Sequence, residues 1–352
     1  MTKIISGIQQ MGIGIPNVQQ AFDFYRKNFG MDIKVFEEAA TAELMLPYTD
    51  NQPQKRHAIL ALNLQGGGGF EIWQYTGRTP QPASFEILAG DLGLFVAKVK
   101  CSNVKAAYEL FKSRNLNLIG KVYKDPVGKD TCFVKDPYGN IFQLVEYSTW
   151  FKNENKLTGG VAGSIIGVSD IEKAQTLYTD ILGYDEVVYD KEGVFEDFET
   201  LAGGKETFRR VLLRHRETRK GGFSKLIGPT EIELIQVKTR TPRKIYEGRL
   251  WGDLGFIHLC FDIIGMEALK KECESKGFPF TVDSANSFDM GEAAGHFSYI
   301  EDPDGTLIEF VETHKVPILK KIGWYLNLKN RPAEKPLPDW MIKAMALNRV
   351  KD

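Results

Sequence analysis

The second half of this chain repeats its first. Glu71-Ile-Trp-Gln-Tyr-Thr-Gly-Arg78-Thr-Pro80 returns 162 positions later, from 71 to 233, as Glu233-Leu-Ile-Gln-Val-Lys-Thr-Arg240-Thr-Pro242. Asp136-Pro-Tyr-Gly-Asn-Ile-Phe-Gln143-Leu-Val-Glu146 returns 166 positions later as Asp302-Pro-Asp-Gly-Thr-Leu-Ile-Glu309-Phe-Val-Glu312. Self-similarity in a sustained register means that the chain is built from copies of one unit. Length agrees, because 352 residues exceed the roughly 250–300 at which one core stops growing, so two domains of about 150 residues are expected.

Charge narrows the partners. With 45 basic and 46 acidic side chains the net charge is −1, and such a chain has no overall field to gather nucleic acid or an anionic membrane. The expected partner is a small-molecule substrate, with a homodimer as the option for self-association. Cys101, Cys132, Cys260 and Cys273 show no C-x-x-C spacing, which suits free buried thiols in a reducing compartment better than disulfides or a zinc cluster. The beginning Met-Thr-Lys-Ile-Ile-Ser-Gly lacks a sustained apolar stretch, and no apolar run approaches the roughly 20 residues of a membrane span. A cytoplasmic protein is expected.

Periodicity gives the unit. Ala21, Phe24, Tyr25 and Phe29 recur at helical spacing between a capping Asn17 and Gly30, and Ala174, Leu177, Tyr178, Ile181 and Leu182 do so between Asp170 and Gly183. Weaker helices run from Asn103 through Phe111 and from Gly265 to Gly277. Each follows a short apolar run and precedes two or three strand-like ones, such as Ala58–Leu64 and Phe70–Gln74. The unit is strand, helix, then about three strands, and four units make two pairs separated by the polar link Lys152–Lys156. The run Gly66–Gly69 reads as a flexible hairpin turn, and the basic stretch from Arg209 to Lys220 as a solvated hairpin. The repeated Arg-Thr-Pro reads as structural, in the connection to the next unit. The segment 315–352 has no counterpart in the first half and is expected to pack on the body, ending as a helix from Asp339 to about Asn348.

The phrases Phe24-Tyr25-Arg-Lys-Asn-Phe-Gly30 and Leu177-Tyr178-Thr-Asp-Ile-Leu-Gly183, with the Asp-Pro-Asp-Gly turn at 302–305, resemble the vicinal oxygen chelate superfamily. That family includes glyoxalase I, extradiol dioxygenases and bleomycin-resistance proteins. The resemblance implies an α+β fold of four βαβββ modules paired into two half-barrels. It sets the domains at 1–150 and 157–314, with the extension outside them.

Family metal ligands come from the first and last strands of each module. Carried over, that rule selects Gln10, Glu71, Val96 and Gln143 in the first half, a set too poor in strong ligands, so this half is expected to be metal-free. In the second half it selects Gly163, Glu233, His258 and Glu309. His258, Glu309 and Glu233 are therefore the expected ligands of a divalent ion, Zn, Ni, Mn or Fe, with Glu233 and Glu309 also able to move a proton. His296 and Tyr299 are expected to orient substrate. The ligand set leans to a glyoxalase-like lyase or isomerase acting on a small carbonyl or vicinal-oxygen compound. An extradiol dioxygenase and a non-catalytic, sequestering resistance-type protein remain open.

Overall fold

A computed structural model describes residues 3–285, 288–289, 294–319, 323–328 and 331–351. Module one comprises β1 (Ile4–Gly14), α1 (Val18–Phe29), β2 (Ile33–Ala42), β3 (Gln54–Leu62) and β4 (Gly69–Tyr75). Module two comprises β5 (Gly93–Cys101), α2 (Val104–Ser113), β6 (Asn117–Lys124), β7 (Asp130–Lys135) and β8 (Ile141–Glu146). Module three has β9 (Thr158–Gly167), α3 (Ile171–Gln175, continued by a π-turn over Thr176–Ile181), β10 (Glu186–Gly193), β11 (Phe208–Arg214), a helical turn α4 (Ser224–Ile227) and β12 (Glu231–Val237). Module four has β13 (Gly255–Ile264), α5 (Met266–Ser275), β14 (Val282–Asp283), β15 (Phe288–Asp289), β16 (Ala294–Glu301) and β17 (Leu307–Leu319). The extension adds β18 (Trp324–Asn327), α6 (Asp339–Ala344) and a 3₁₀ turn, Met345–Asn348.

The caps are those the sequence offers. The side chains of Asn17, Asn103 and Asp170 accept from the backbone N–H groups of Gln20, Ala106 and Lys173. This satisfies donors that the first helical turn leaves free. At α5 Gly265 has no side chain to offer, and the Glu312 carboxylate on β17 accepts from the N–H groups of Gly265 and Met266 instead.

The four modules form two curled half-barrel sheets, but the pairing crosses the sequence halves. One sheet runs β14-β16-β17-β13-β1-β4-β3-β2, with β15 and β18 added to β16 and β17; the other runs β10-β11-β12-β9-β5-β8-β7-β6. Module one therefore joins module four, and module two joins module three. This corrects the expectation that 1–150 and 157–314 each close a barrel.

The physical reason lies in the repeated Arg-Thr-Pro. Arg78, after module one, binds Asp253 at 2.6 Å, just before module four. Arg240, after module three, binds Asp91 at 2.6 Å, just before module two. Both aspartates are buried and also accept a backbone N–H, from Gln81 and Arg243 respectively. The two clasps thus fix each module's partner.

Strand alternation divides the side chains between two layers. Ile59, Ala61, Phe70 and Ile72 face a main core shared with α1, α2, α3 and α5, whereas Leu60, Leu62 and Trp73 face the concave side. The two modules of each sequence half do meet in that main core. The Tyr25 hydroxyl donates to Asp136 at 2.6 Å, and that of Tyr178 donates to Asp302 at 3.1 Å.

The glycine run is not a loose hairpin. It stitches the two sheets together: Gly68 N–H donates to Val161 O at 3.0 Å, and Val161 N–H returns a bond to Gly68 O at 2.8 Å. A Cβ at Gly67 would lie 2.6 Å from the Gly160 carbonyl carbon, so a side chain there would force the backbones apart. The four cysteines are free and buried, and no helix among the described residues is long and apolar enough to cross a membrane.

Candidate metal centre

Crossed pairing changes which side chains meet. β1 lies antiparallel to β13 with Gly12 opposite His258 and parallel to β4 with Gly12 opposite Glu71, while β13 lies parallel to β17 with Cys260 opposite Glu309. On the concave face this brings Glu71, His258 and Glu309 together, with one ligand-type atom of each within 4.8 Å of the others. His258 Nε2 is 3.2 Å from Glu71 Oε2 and 3.1 Å from Glu309 Oε2. Gln10 completes the ring, its Nε2 lying 3.3 Å from Glu71 Oε2 and 3.5 Å from Glu309 Oε2.

The imidazole is held in place from all sides. Tyr299 OH sits 3.3 Å from His258 Nδ1, and the Trp251 ring stacks 6.3 Å away. A Cβ at Gly12 would come within 2.4 Å of the imidazole Cε1, so glycine at this position is what leaves room for the ring. Burial pushes the His258 imidazolium down, but the Glu309 and Glu71 carboxylates outweigh it and hold its pKa up at about 10. Burial likewise pushes Glu309 up, and the His258 charge overrides this and keeps the carboxyl below its usual range.

These residues fit a divalent ion. His258 Nε2 and Gln10 Oε1 are buried and make no hydrogen bond, although such atoms are costly to leave unpaired. Two carboxylate oxygens flank Nε2 without lying where a ring N–H would point, as donors around a shared ion do. One imidazole, two carboxylates and, after a half-turn of the Gln10 amide, one carbonyl oxygen suit Zn, Ni, Mn or Fe.

Two cavities meet at this cluster. One, of about 100 Å³, and another, of about 460 Å³, both reach Glu71 and Glu309. The two carboxylates are thus approached from two directions.

The sequence-derived set is only partly brought together. His258 and Glu309 lie side by side, but Glu233 is in the other sheet. There Arg210 Nε donates to Glu233 Oε1 at 2.7 Å, Tyr189 OH donates to the same oxygen at 2.7 Å, and Lys98 Nζ lies 2.8 Å from Oε2. Burial would raise Glu233, but Arg210 and Lys98 dominate and hold it at about 2. Gly163 has no space for a side chain, because a Cβ would fall 1.8 Å from Glu231 O.

Module one, expected to be metal-free, instead supplies Gln10 and Glu71 to the cluster. The positional rule had found both residues, and the halves to which it was applied kept them from His258. His296 and Tyr299 also separate: His296 Nε2 bonds Asp283 at 2.6 Å, while Tyr299 contacts His258. Three residues apart on one strand, the two face opposite sides.

The glyoxalase/bleomycin resistance protein/dioxygenase superfamily profile matches residues 7–144 and 161–310. This chain belongs to that superfamily. Among solved structures, a glyoxalase I mutant from Zea mays is 14% identical with a TM-score of 0.57, covering 88% of this chain and 94% of that one. A Bacillus subtilis protein named as a dioxygenase is 15% identical with a TM-score of 0.56, covering 88% and 86%. At such identities the likeness speaks for the superfamily fold alone. No curated protein matches the chain.

Proposed function

We propose that this superfamily member is a divalent-metal-dependent lyase or isomerase of the glyoxalase kind, acting on a small carbonyl or vicinal-oxygen compound. Gln10, Glu71, His258 and Glu309 would hold the ion. The observation that carries this reading is the convergence of these four side chains from four strands, β1 and β4 of module one and β13 and β17 of module four, with His258 Nε2 and Gln10 Oε1 making no hydrogen bond at its centre. A bound ion supplies Lewis acidity toward a substrate oxygen.

The chain's own groups account for the rest. Glu71 and Glu309 border both cavities, so a substrate on either side places a C–H beside its carbonyl within reach of a carboxylate. That carboxylate takes the proton and returns it to the neighbouring carbon, leaving the redox state unchanged. Tyr299 holds the His258 ring, and the apolar walls of the smaller cavity keep water from competing there.

A ring-cleaving dioxygenase would call for two imidazoles and one carboxylate. His57 pairs with Glu37, His215 bonds the Glu217 carbonyl and His296 bonds Asp283. Neither these three nor His314 joins His258 in a group of metal-ligating side chains among the described residues, so the redox-neutral reading is preferred.

Metal content of the purified protein tests the proposal. The wild type and Glu233→Gln should hold one ion per chain after loading, and His258→Ala should hold none. If no near-stoichiometric metal appears under any loading condition, the enzyme reading fails and a sequestering, resistance-type binder takes its place. If metal is bound, incubation of candidate 2-oxo compounds in D₂O should show deuterium entering beside the carbonyl.

A further inference from the structure

Two segments with no counterpart in the other modules meet over the smaller cavity. One is the long connection from His215 to Thr230 between β11 and β12; the equivalent connection in module one spans only Asn63 to Gly68. The other is the C-terminal extension. They hold each other: Lys220 pairs with Glu334 at 3.1 Å and Lys225 with Asp339 at 2.6 Å. Leu337 N–H also donates to Gly222 O at 2.9 Å. Part of the basic stretch therefore anchors the extension, and only part of it is solvated.

Together these segments build a wall. Leu226 and Ile227 of the connection and Met345 of the extension face Leu60, Leu62 and Val316 of the sheet across the cavity. Among the described residues, the charged side chains lining this cavity are Glu71 and Glu309 alone, and no cation lines it. The larger cavity, on the other flank of the same two carboxylates, carries Glu38, Glu43 and Arg56. One flank of the cluster is thus apolar and the other polar.

We infer that the connection and the extension select a substrate bearing a short, uncharged apolar substituent next to its chelating oxygens. This deepens, and rests on, the metal-site reading above. A carboxylate, phosphate or peptide conjugate entering the apolar arm would be desolvated with no cation to receive it. A volume of about 100 Å³ holds about three water-sized groups, which corresponds to a substituent of a few carbons.

The test uses the full chain loaded with Co²⁺ and straight-chain alkyl hydroxamates from acetyl to octanoyl, which present two adjacent oxygens and a variable tail. Affinity should rise about fourfold per added methylene over the first few carbons and then level off. A carboxylate-ended tail of the same length should lose the gain. Met345→Trp and, independently, Leu226→Trp should flatten the series while leaving Co²⁺ stoichiometry at one.

Affinity independent of tail length, or a ladder unchanged in both variants, would overturn the inference. Absence of Co²⁺ binding would overturn the metal reading alone. The apolar arm is then decided on the metal-free chain, by ligand-observed NMR with 2-alkanones from butanone to octan-2-one, on the same two outcomes.

Discussion

The two half-barrels have the same strand plan and fill the same positions in opposite ways. Register equates Gln10, Glu71, His258 and Glu309 of one sheet with Gly163, Glu233, Val96 and Gln143 of the other. In the first sheet two carboxylates face an imidazole and leave polar atoms unpaired. In the second the surviving carboxylate, Glu233, is enclosed by Arg210, Lys98 and Tyr189, and Arg210 binds Asp197 at 2.7 and 3.0 Å as well. One scaffold thus carries a pocket in which two carboxylates share a single imidazole, a group that can give up its proton to a metal ion, and a second pocket in which a guanidinium and an ammonium already serve as the cations. The difference teaches that a buried acidic residue indicates a metal only when no arginine or lysine already neutralises it.

The sharpest break in that comparison is removal of the built-in cation. Arg210→Ala should destabilise the protein by about 3–5 kcal/mol, because Glu233 and Asp197 lose their buried partner. Denaturant melts should show the loss, while chains that remain folded keep their full metal content. Loss of metal without loss of stability would reverse the roles assigned to the two sheets.

A subtler pair comes next. Asp262 and Lys100 occupy equivalent positions, and burial raises Asp262 to about 7 and lowers Lys100 to about 8, with only partial compensation from neighbours. For Lys100 the folded value lies below the unfolded one. Its penalty is fully present below about pH 8 and fades as pH rises toward the ordinary lysine value of 10.5. Lys100→Met should therefore raise stability at pH 7 by up to about 3 kcal/mol and flatten the slope between those pH values. Asp262→Asn should remove a slope of the opposite sign: its folded value is raised, so its stabilisation is present at acid pH and is lost as pH rises from the normal carboxylate range through about 7. Thermal melts across pH read both changes.

The smallest change makes one sheet resemble the other. Tyr299 corresponds to Phe133, and Tyr299→Phe deletes only the hydroxyl that meets His258 Nδ1. Metal affinity should fall about 10–100-fold with little change in melting temperature. An unchanged affinity would mean that Trp251 and Gly12 alone fix the ring.

Much of this was legible in the sequence. The module boundaries and caps at Asn17, Asn103 and Asp170 follow from helical and strand periods that local chemistry sets. The pairing of modules was not, since it depends on contacts between distant segments, and assigning each half to itself separated Glu71 from His258. A signal was present nonetheless. Gly90-Asp91-Leu92-Gly93 returns as Gly252-Asp253-Leu254-Gly255, and each aspartate is the partner of the Arg-Thr-Pro arginine from the module it joins. Paired by that clasp, the same positional rule yields Gln10, Glu71, His258 and Glu309 directly. The parity of His296 and Tyr299 was readable as well. Arg210 was not, because nothing in a run of arginines tells which one is fully buried.

Crossed pairing also orders the assembly of the molecule in time. β5 and β9 are separated by residues 102–157, whereas β1 must find β13 across residues 15–254. Closing the inner sheet first shortens the loop that the outer one has to close, and so lowers its entropic cost. A ribosome-bound chain can therefore complete its inner half-barrel while Gln10 and Glu71 still wait for strands not yet synthesised. The candidate metal centre can be complete only after module four has joined module one, and an ion arriving earlier would find only Gln10 and Glu71 of its four ligands.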